Sequence, residues 1–181
     1  MRGVIDIDES HKEYPELFYE STVGKFALHR TSSMISELAP VALFLKYIVA
    51  PGNLLIIEEP ESHLHPDNQR KMARVIARLV RSKVSVLLTT HSDFFVAQLN
   101  NFIRLAKGSE EKRKHYQYSS EDFLRPEEVG AYLFDLSERK EGTMIRSLPV
   151  SEEQGITADE FAKVNESLYD ETVSLDRIAE K

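Results

Sequence analysis

The sequence predicts an α/β chain built on a parallel sheet flanked by helices, and three observations carry that prediction. Leu54-Leu55-Ile56-Ile57 is an aliphatic run that ends in the adjacent carboxylates Glu58-Glu59. Val84-Ser85-Val86-Leu87-Leu88-Thr89-Thr90 is a second run, and it ends in His91. Between them, in the stretch from Pro66 to Val80, Met72, Val75, Ile76, Leu79 and Val80 recur at helical spacing. Bulky aliphatics without alternation read as strands covered on both faces, the habit of parallel sheets, and strand, helix, strand reads as a right-handed crossover. Such sheets bind ligands beyond the carboxyl ends of their strands. That edge is where this order delivers an acid pair and an imidazole.

The other elements follow in chain order. Glu16-Leu17-Phe18-Tyr19-Glu20 and Lys25-Phe26-Ala27-Leu28-His29 flank Val23-Gly24, the pattern of a hairpin. Thr31-Ser32-Ser33-Met34-Ile35-Ser36-Glu37-Leu38 leads into an apolar helical stretch from about Leu38 to Val49, stopped by Ala50-Pro51-Gly52. After the second strand a helix is expected near Asp93 to Leu99, then a further strand at Phe102-Ile103-Arg104-Leu105. Lys112-Arg113-Lys114-His115 follows Glu110-Glu111, is interleaved with Tyr116 and Tyr118, and reads as a solvated hairpin or loop; Ser119-Ser120-Glu121-Asp122 reads as the start of a short helix. Tyr132 to Leu136 and Thr143 to Leu148 read as strands joined by the polar turn Glu138 to Gly142. From Thr157 or Asp159 to about Glu180, Phe161, Val164, Leu168, Val173, Leu175 and Ile178 form an imperfect helical stripe. No internal repeat, low-complexity segment or linker stands out.

Composition bounds the class. At 181 residues with 41% hydrophobic residues, a single domain with a sizeable core is expected. Zero cysteines exclude disulfides and thiolate metal sites. The sequence shows no basic-plus-apolar leader and no apolar run of membrane-spanning length, so a soluble, cytoplasmic chain without membrane contact is expected. The net charge of −7, from 30 acidic and 23 basic residues, argues against broad phosphate-backbone binding by this chain alone. Nucleic-acid contact is expected only through a partner.

Glu58-Glu59-Pro60-Glu61-Ser62-His63-Leu64-His65-Pro66, followed by Thr89-Thr90-His91-Ser92, resembles the second half of an ABC-type ATPase domain. The resemblance is to the soluble SMC- and OLD-like branch, placed with the AAA family, rather than to transporters. It implies an incomplete P-loop NTPase sheet with a small β-hairpin and helix extension at about 109–181, the whole of 1–181 forming one ATPase-like domain. It also implies a signature region at 29–38, Walker B at 54–59, a D-loop at 60–66 and a switch histidine at His91. By the same resemblance the cofactors are ATP and Mg²⁺. Glu58 would hold magnesium through water, Glu59 would polarise the attacking water, and His91 would sense the terminal phosphate. Ser32 or Ser33 would be the signature serine, and His65 would lie in the D-loop, which faces a second nucleotide site across a dimer.

The chemistry explains why those residue types are required. Phosphoryl transfer asks a protein to position a water and neutralise charge on phosphate oxygens. One carboxylate can sit beside magnesium, which prefers oxygen ligands and keeps several waters, while its neighbour accepts a proton from the nucleophile. This sequence departs from the family pattern in having Glu58 where Asp is usual and in lacking the signature glycine pair, replaced around Met34 and Ile35.

Other readings of the same residues stay open. Carboxylates after a strand also complement a helix dipole, and Ser32 or Ser33 also suits a plain helix cap. His63 and His65 among glutamates also invite a metal-dependent hydrolase. The largest departure is that Gly-x-x-x-x-Gly-Lys-Ser/Thr does not occur among the seven glycines. Phosphate binding in P-loop enzymes depends on that nest of amides and its lysine, so a Walker A segment is expected from a partner chain or a missing N-terminal half. In the family the phosphate-loop strand lies between the strand ending at His91 and the next, so an unpaired sheet edge is expected. Rearrangement, another protein or self-association, as a homodimer or hetero-oligomer, would close it. The sequence therefore points to ATP hydrolysis by a half-domain that needs completing, with a non-catalytic interaction module or ATPase remnant as the alternative.

Overall fold

The computed structural model describes residues 3–8, 16–136, 142–157 and 159–179. The chain opens with an antiparallel sheet of order β1-β2-β3, formed by β1 (Gly3–Asp8), β2 (Glu16–Ser21) and β3 (Gly24–Ala27). Gly24 makes the tight turn at φ 143°, and Lys25 reaches across to Asp6 at 2.6 Å. The expected hairpin is thus present, with β1 as an additional strand. A 3₁₀ turn over Leu28–Arg30 leads to α1 (Ser33–Tyr47), which begins at its serine cap rather than at Leu38, where the apolar pattern starts.

The central unit is β4 (Leu54–Glu58), α2 (Pro66–Arg81) and β5 (Ser85–Thr89). The two strands pair in parallel, Leu54 opposite Ser85 through to Glu58 opposite Thr89, so they end together. Pro66 sits in the first turn of α2, where a missing N–H costs nothing. Met72, Ala73, Ile76 and Ala77 of α2 are buried against Phe95, Leu99, Phe102 and Ile103 of α3 (Asp93–Arg104).

Two expectations about the sheet fail. Phe102 to Leu105 is not a strand: Phe102 to Arg104 is the last turn of α3, and Leu105 begins a 3₁₀ turn over Leu105–Lys107. Phe95, Leu99, Phe102 and Ile103 form one helical stripe, and packing on α2 decides for the helix. The central sheet therefore has two strands among the described residues. Nor is it covered on both faces: Leu55 is buried, but Leu54, Ile56 and Leu87 are 61%, 64% and 57% exposed.

Downstream, Glu110–His115 forms a short helix, α4, instead of a hairpin or loop. Ser109 caps it, its acids lie in the first turn and its bases in the last, so each complements the helix dipole. Ser119 to Asp122 starts no helix; it is a turn that carries Asp122 fully inside. There the carboxylate accepts from Arg78 Nε at 2.7 Å and from the Ser119 amide at 2.8 Å. Burial pushes the Asp122 carboxyl up, but the Arg78 bond, the Ser119 amide and the charge of Arg74 outweigh it and hold it below the usual range.

The extension comprises the antiparallel pair β6 (Ala131–Leu136) and β7 (Thr143–Leu148), the short pair β8 (Val150–Ser151) and β9 (Gly155–Ile156), and α5 (Asp159–Ala179). The expected turn between β6 and β7 falls mostly on 137–141, outside the described residues, as does Glu180. Asn100 of α3 anchors β9, its amide bonding Ile156 N at 2.7 Å and Ile156 O at 3.1 Å. Among the described residues no helix is long and apolar enough to cross a membrane.

Candidate active site

The parallel pairing brings the ends of β4 and β5 to one edge, and the backbone then turns sharply. Glu59 leaves β4 with φ 42°, a conformation that costs a non-glycine residue about 1 kcal/mol or more unless its surroundings impose it. Its amide is held by the backbone oxygen of Thr89 at 3.0 Å and by Thr89 Oγ1 at 3.2 Å. The two Glu59 oxygens have separate partners. Oε1 lies 3.4 Å from His91 Nε2, and Oε2 accepts from Ser62 Oγ at 2.8 Å. The Glu59 and His91 side chains are 46% and 85% exposed, so the pair is open to an incoming ligand.

Glu58, the last residue of β4, is exposed and makes no side-chain hydrogen bond or ion pair among the described residues. Its oxygens fit a hydrated magnesium ion, which needs one or two carboxylates rather than a closed cage. Glu61 is in the opposite situation, only 4% exposed. Its Oε1 accepts from the Thr90 hydroxyl and from the His91 amide, the latter at 3.2 Å. Its Oε2 is buried without a hydrogen-bond partner among the described residues. Glu61 lies within the motif, and the resemblance assigns it no role. The available signal was Thr90, a hydroxyl beside the imidazole that needs an acceptor.

The remaining expected residues lie around this edge without joining it. Ser32 is the N-cap residue of α1, yet its side chain makes no capping bond, and Ser33 is the first residue of that helix. The start of α1 adjoins the loop after β4 through Glu37 with His63 at 4.0 Å, and the start of α2 through Asn68 donating to Met34 Sδ at 3.2 Å. His65 caps α2, its Nδ1 accepting from the Asp67 amide at 3.3 Å. Ser32, Ser33 and His65 make no hydrogen bond with the Glu59 and His91 side chains. His63 and His65 have different partners, Glu37 and Asp67, and among the described residues no group of three histidines or acids is arranged to hold a metal.

Residues 8–96 match the family model of the AAA ATPase domain, a stretch that holds both strand ends and His91. Over that stretch the chain is similar to the AAA ATPase domain. Its fold is similar to a solved structure reported under the structural biochemistry of ATP-driven dimerization and DNA-stimulated activation of SMC ATPases. The TM-score is 0.54 and the identity 14%, over 92% of this chain and 81% of that one. At that identity the likeness speaks for the fold alone, a mixed α/β arrangement with its parallel pair flanked by helices. No curated protein matches the chain.

Proposed function

We propose that this chain is an ATPase domain of the AAA kind, one ATPase-like domain over 1–181, and that it supplies the Walker B, D-loop and switch parts of an ATP-hydrolysing site. The phosphate-binding loop would come from another chain or a further segment. The observation that carries this reading is the Glu59 and His91 pair, 3.4 Å apart at the shared end of two parallel strands. In this reading Glu59 accepts a proton from the attacking water, with Ser62 fixing its second oxygen. His91 donates to the terminal phosphate. Glu58 would hold magnesium, which when bound neutralises charge on the phosphate oxygens.

The open face of the central sheet supports the need for completion. Leu54, Ile56 and Leu87 share one face and expose most of their aliphatic surface, a state that a layer packed on that face by a completing segment would relieve. Association in the nucleotide-bound state would place Ser32 or Ser33 and His65 toward a second nucleotide, and nucleic acid would be met through the partner. A cytoplasmic location suits this reading. The same open face also favours a second one, an interaction module whose partner affinity is indifferent to ATP.

Turnover distinguishes the two. The chain alone should bind ATP weakly, for want of amides and lysine around the phosphates. Combined with a phosphate-loop chain it should hydrolyse ATP, and Glu59→Gln should lower kcat by about 10²–10⁴, the usual worth of a general base. Full activity in the Gln variant would remove Glu59 from the mechanism. ATP-independent partner binding without turnover would favour the module.

A further inference from the structure

We infer that Glu61 is a positioning residue for His91, and that with Gln69 it ties the loop after β4 to the segment carrying the imidazole. The catalytic part of this inference rests on the ATPase reading; the geometric part does not. Two donors converge on Glu61 Oε1, the Thr90 hydroxyl and the His91 amide at 3.2 Å. Thr90 Oγ1 accepts in turn from the Ser92 amide at 3.1 Å. Gln69 closes the other side, its Oε1 accepting from the Ser92 hydroxyl and its Nε2 donating to Leu64 O at 3.0 Å. Residues 90–92 are thus held from both ends by side chains of 61–69, and no backbone pairing of β5 extends that far.

Burying a carboxylate is unfavourable unless its bonds are made, and here the bonds go to the residue that bears the imidazole and to its neighbour. Oε2 contributes none of them. What Glu61 supplies is therefore an acceptor at one place rather than a charge. The consequence is a mechanical link: whatever displaces the loop at 60–66 also displaces His91 relative to Glu59. Misplacing a reacting group by about 1 Å can cost a hundredfold in rate.

The test compares Glu61→Ala with Glu61→Gln, which keeps an acceptor oxygen in place and puts its amide nitrogen where Oε2 has no partner. Amide hydrogen exchange by NMR on the full chain should be about tenfold or more faster at His91 in E61A and within about threefold of wild type in E61Q. Exchange at Phe102 in α3 reports that the fold is intact. Should E61A not fold, Glu61→Asp keeps the charge but withdraws the oxygen, and the same acceleration is expected. In the completed ATPase, E61A should lower kcat about ten- to a hundredfold with KM for ATP little changed, and E61Q should retain most activity. Unchanged exchange at His91 in E61A overturns the inference, as does an E61Q variant as impaired as E61A, which would make the charge itself the working part. If the completed wild type does not turn over ATP, the ATPase reading fails, while the exchange rates still decide whether Glu61 holds His91.

Discussion

Asp122→Ala perturbs the staple that fixes α2, the helix linking the two strands of the site. Asp122 is 0% exposed and accepts three hydrogen bonds: from Arg78 Nε at 2.7 Å, Arg78 Nη2 at 3.3 Å and the Ser119 amide at 2.8 Å. Arg74 adds a weaker attraction at 3.8 Å. Removing one partner of a fully buried pair costs about 3–5 kcal/mol, because a charge is left without water or partner. Here the orphaned guanidiniums are not fully buried, Arg78 being 48% and Arg74 34% exposed, so both regain water. The expected loss is therefore about 3 kcal/mol, chiefly from charge-assisted bonds and the Ser119 amide. Urea denaturation followed by far-ultraviolet circular dichroism reads it as a fall in midpoint at constant slope. Asp122→Asn keeps the volume and one acceptor and should lose about half as much. A loss below about 1 kcal/mol for the alanine variant would refute the view that this carboxylate organises the packing of α2.

Glu128 gives a pH signature, since its bond with Arg81, reinforced by the Arg125 amide and guanidinium, holds its carboxyl at about 2 against an ordinary 4.5. A depressed folded value adds stability above the ordinary value and loses it as pH falls toward 2, here at most about 3 kcal/mol. Acid titration of stability should show wild type and Glu128→Gln converging over that window; parallel curves would contradict it. Gly155→Ala should destabilise by about 2 kcal/mol or more, because φ is 76° and a Cβ would lie 2.4 Å from Asn100 Cγ and Oδ1. Limited proteolysis should then cut near β8 and β9 faster than in wild type, and an unchanged pattern would count against the Asn100 anchor.

How much of this was legible varies with the kind of signal. The strands ending at Glu58 and Thr89 could be read because aliphatic runs bounded by polar residues have few alternatives, and their parallel register brings Glu59 and His91 together. Phe102 to Leu105 could not, since a short apolar run suits a strand and the inside of a helix equally, and contact with α2 decides. The aliphatics Leu54, Ile56 and Leu87 imply a cover that the described residues do not provide, so there the pattern carries information about something outside them. The charges of Glu110 to Lys114 suit a solvated hairpin or loop, but their order, acids first and bases last, also suits a helix. The roles of Glu61 and Asp122 rest mainly on distant partners. Glu61 meets donors 29 and 30 residues away and Asp122 an arginine 44 residues away beside the nearby Ser119 amide, and only the fold supplies the distant ones.

The measurement that bears most directly on the account is a structure of the chain joined by its phosphate-loop half, with magnesium and a non-hydrolysable ATP analogue. Both the Glu59 carboxylate and the His91 imidazole should then face the terminal phosphate, with Glu58 on the magnesium side. A nucleotide bound away from the carboxyl ends of β4 and β5, with Glu59 and His91 still facing only each other, would contradict it.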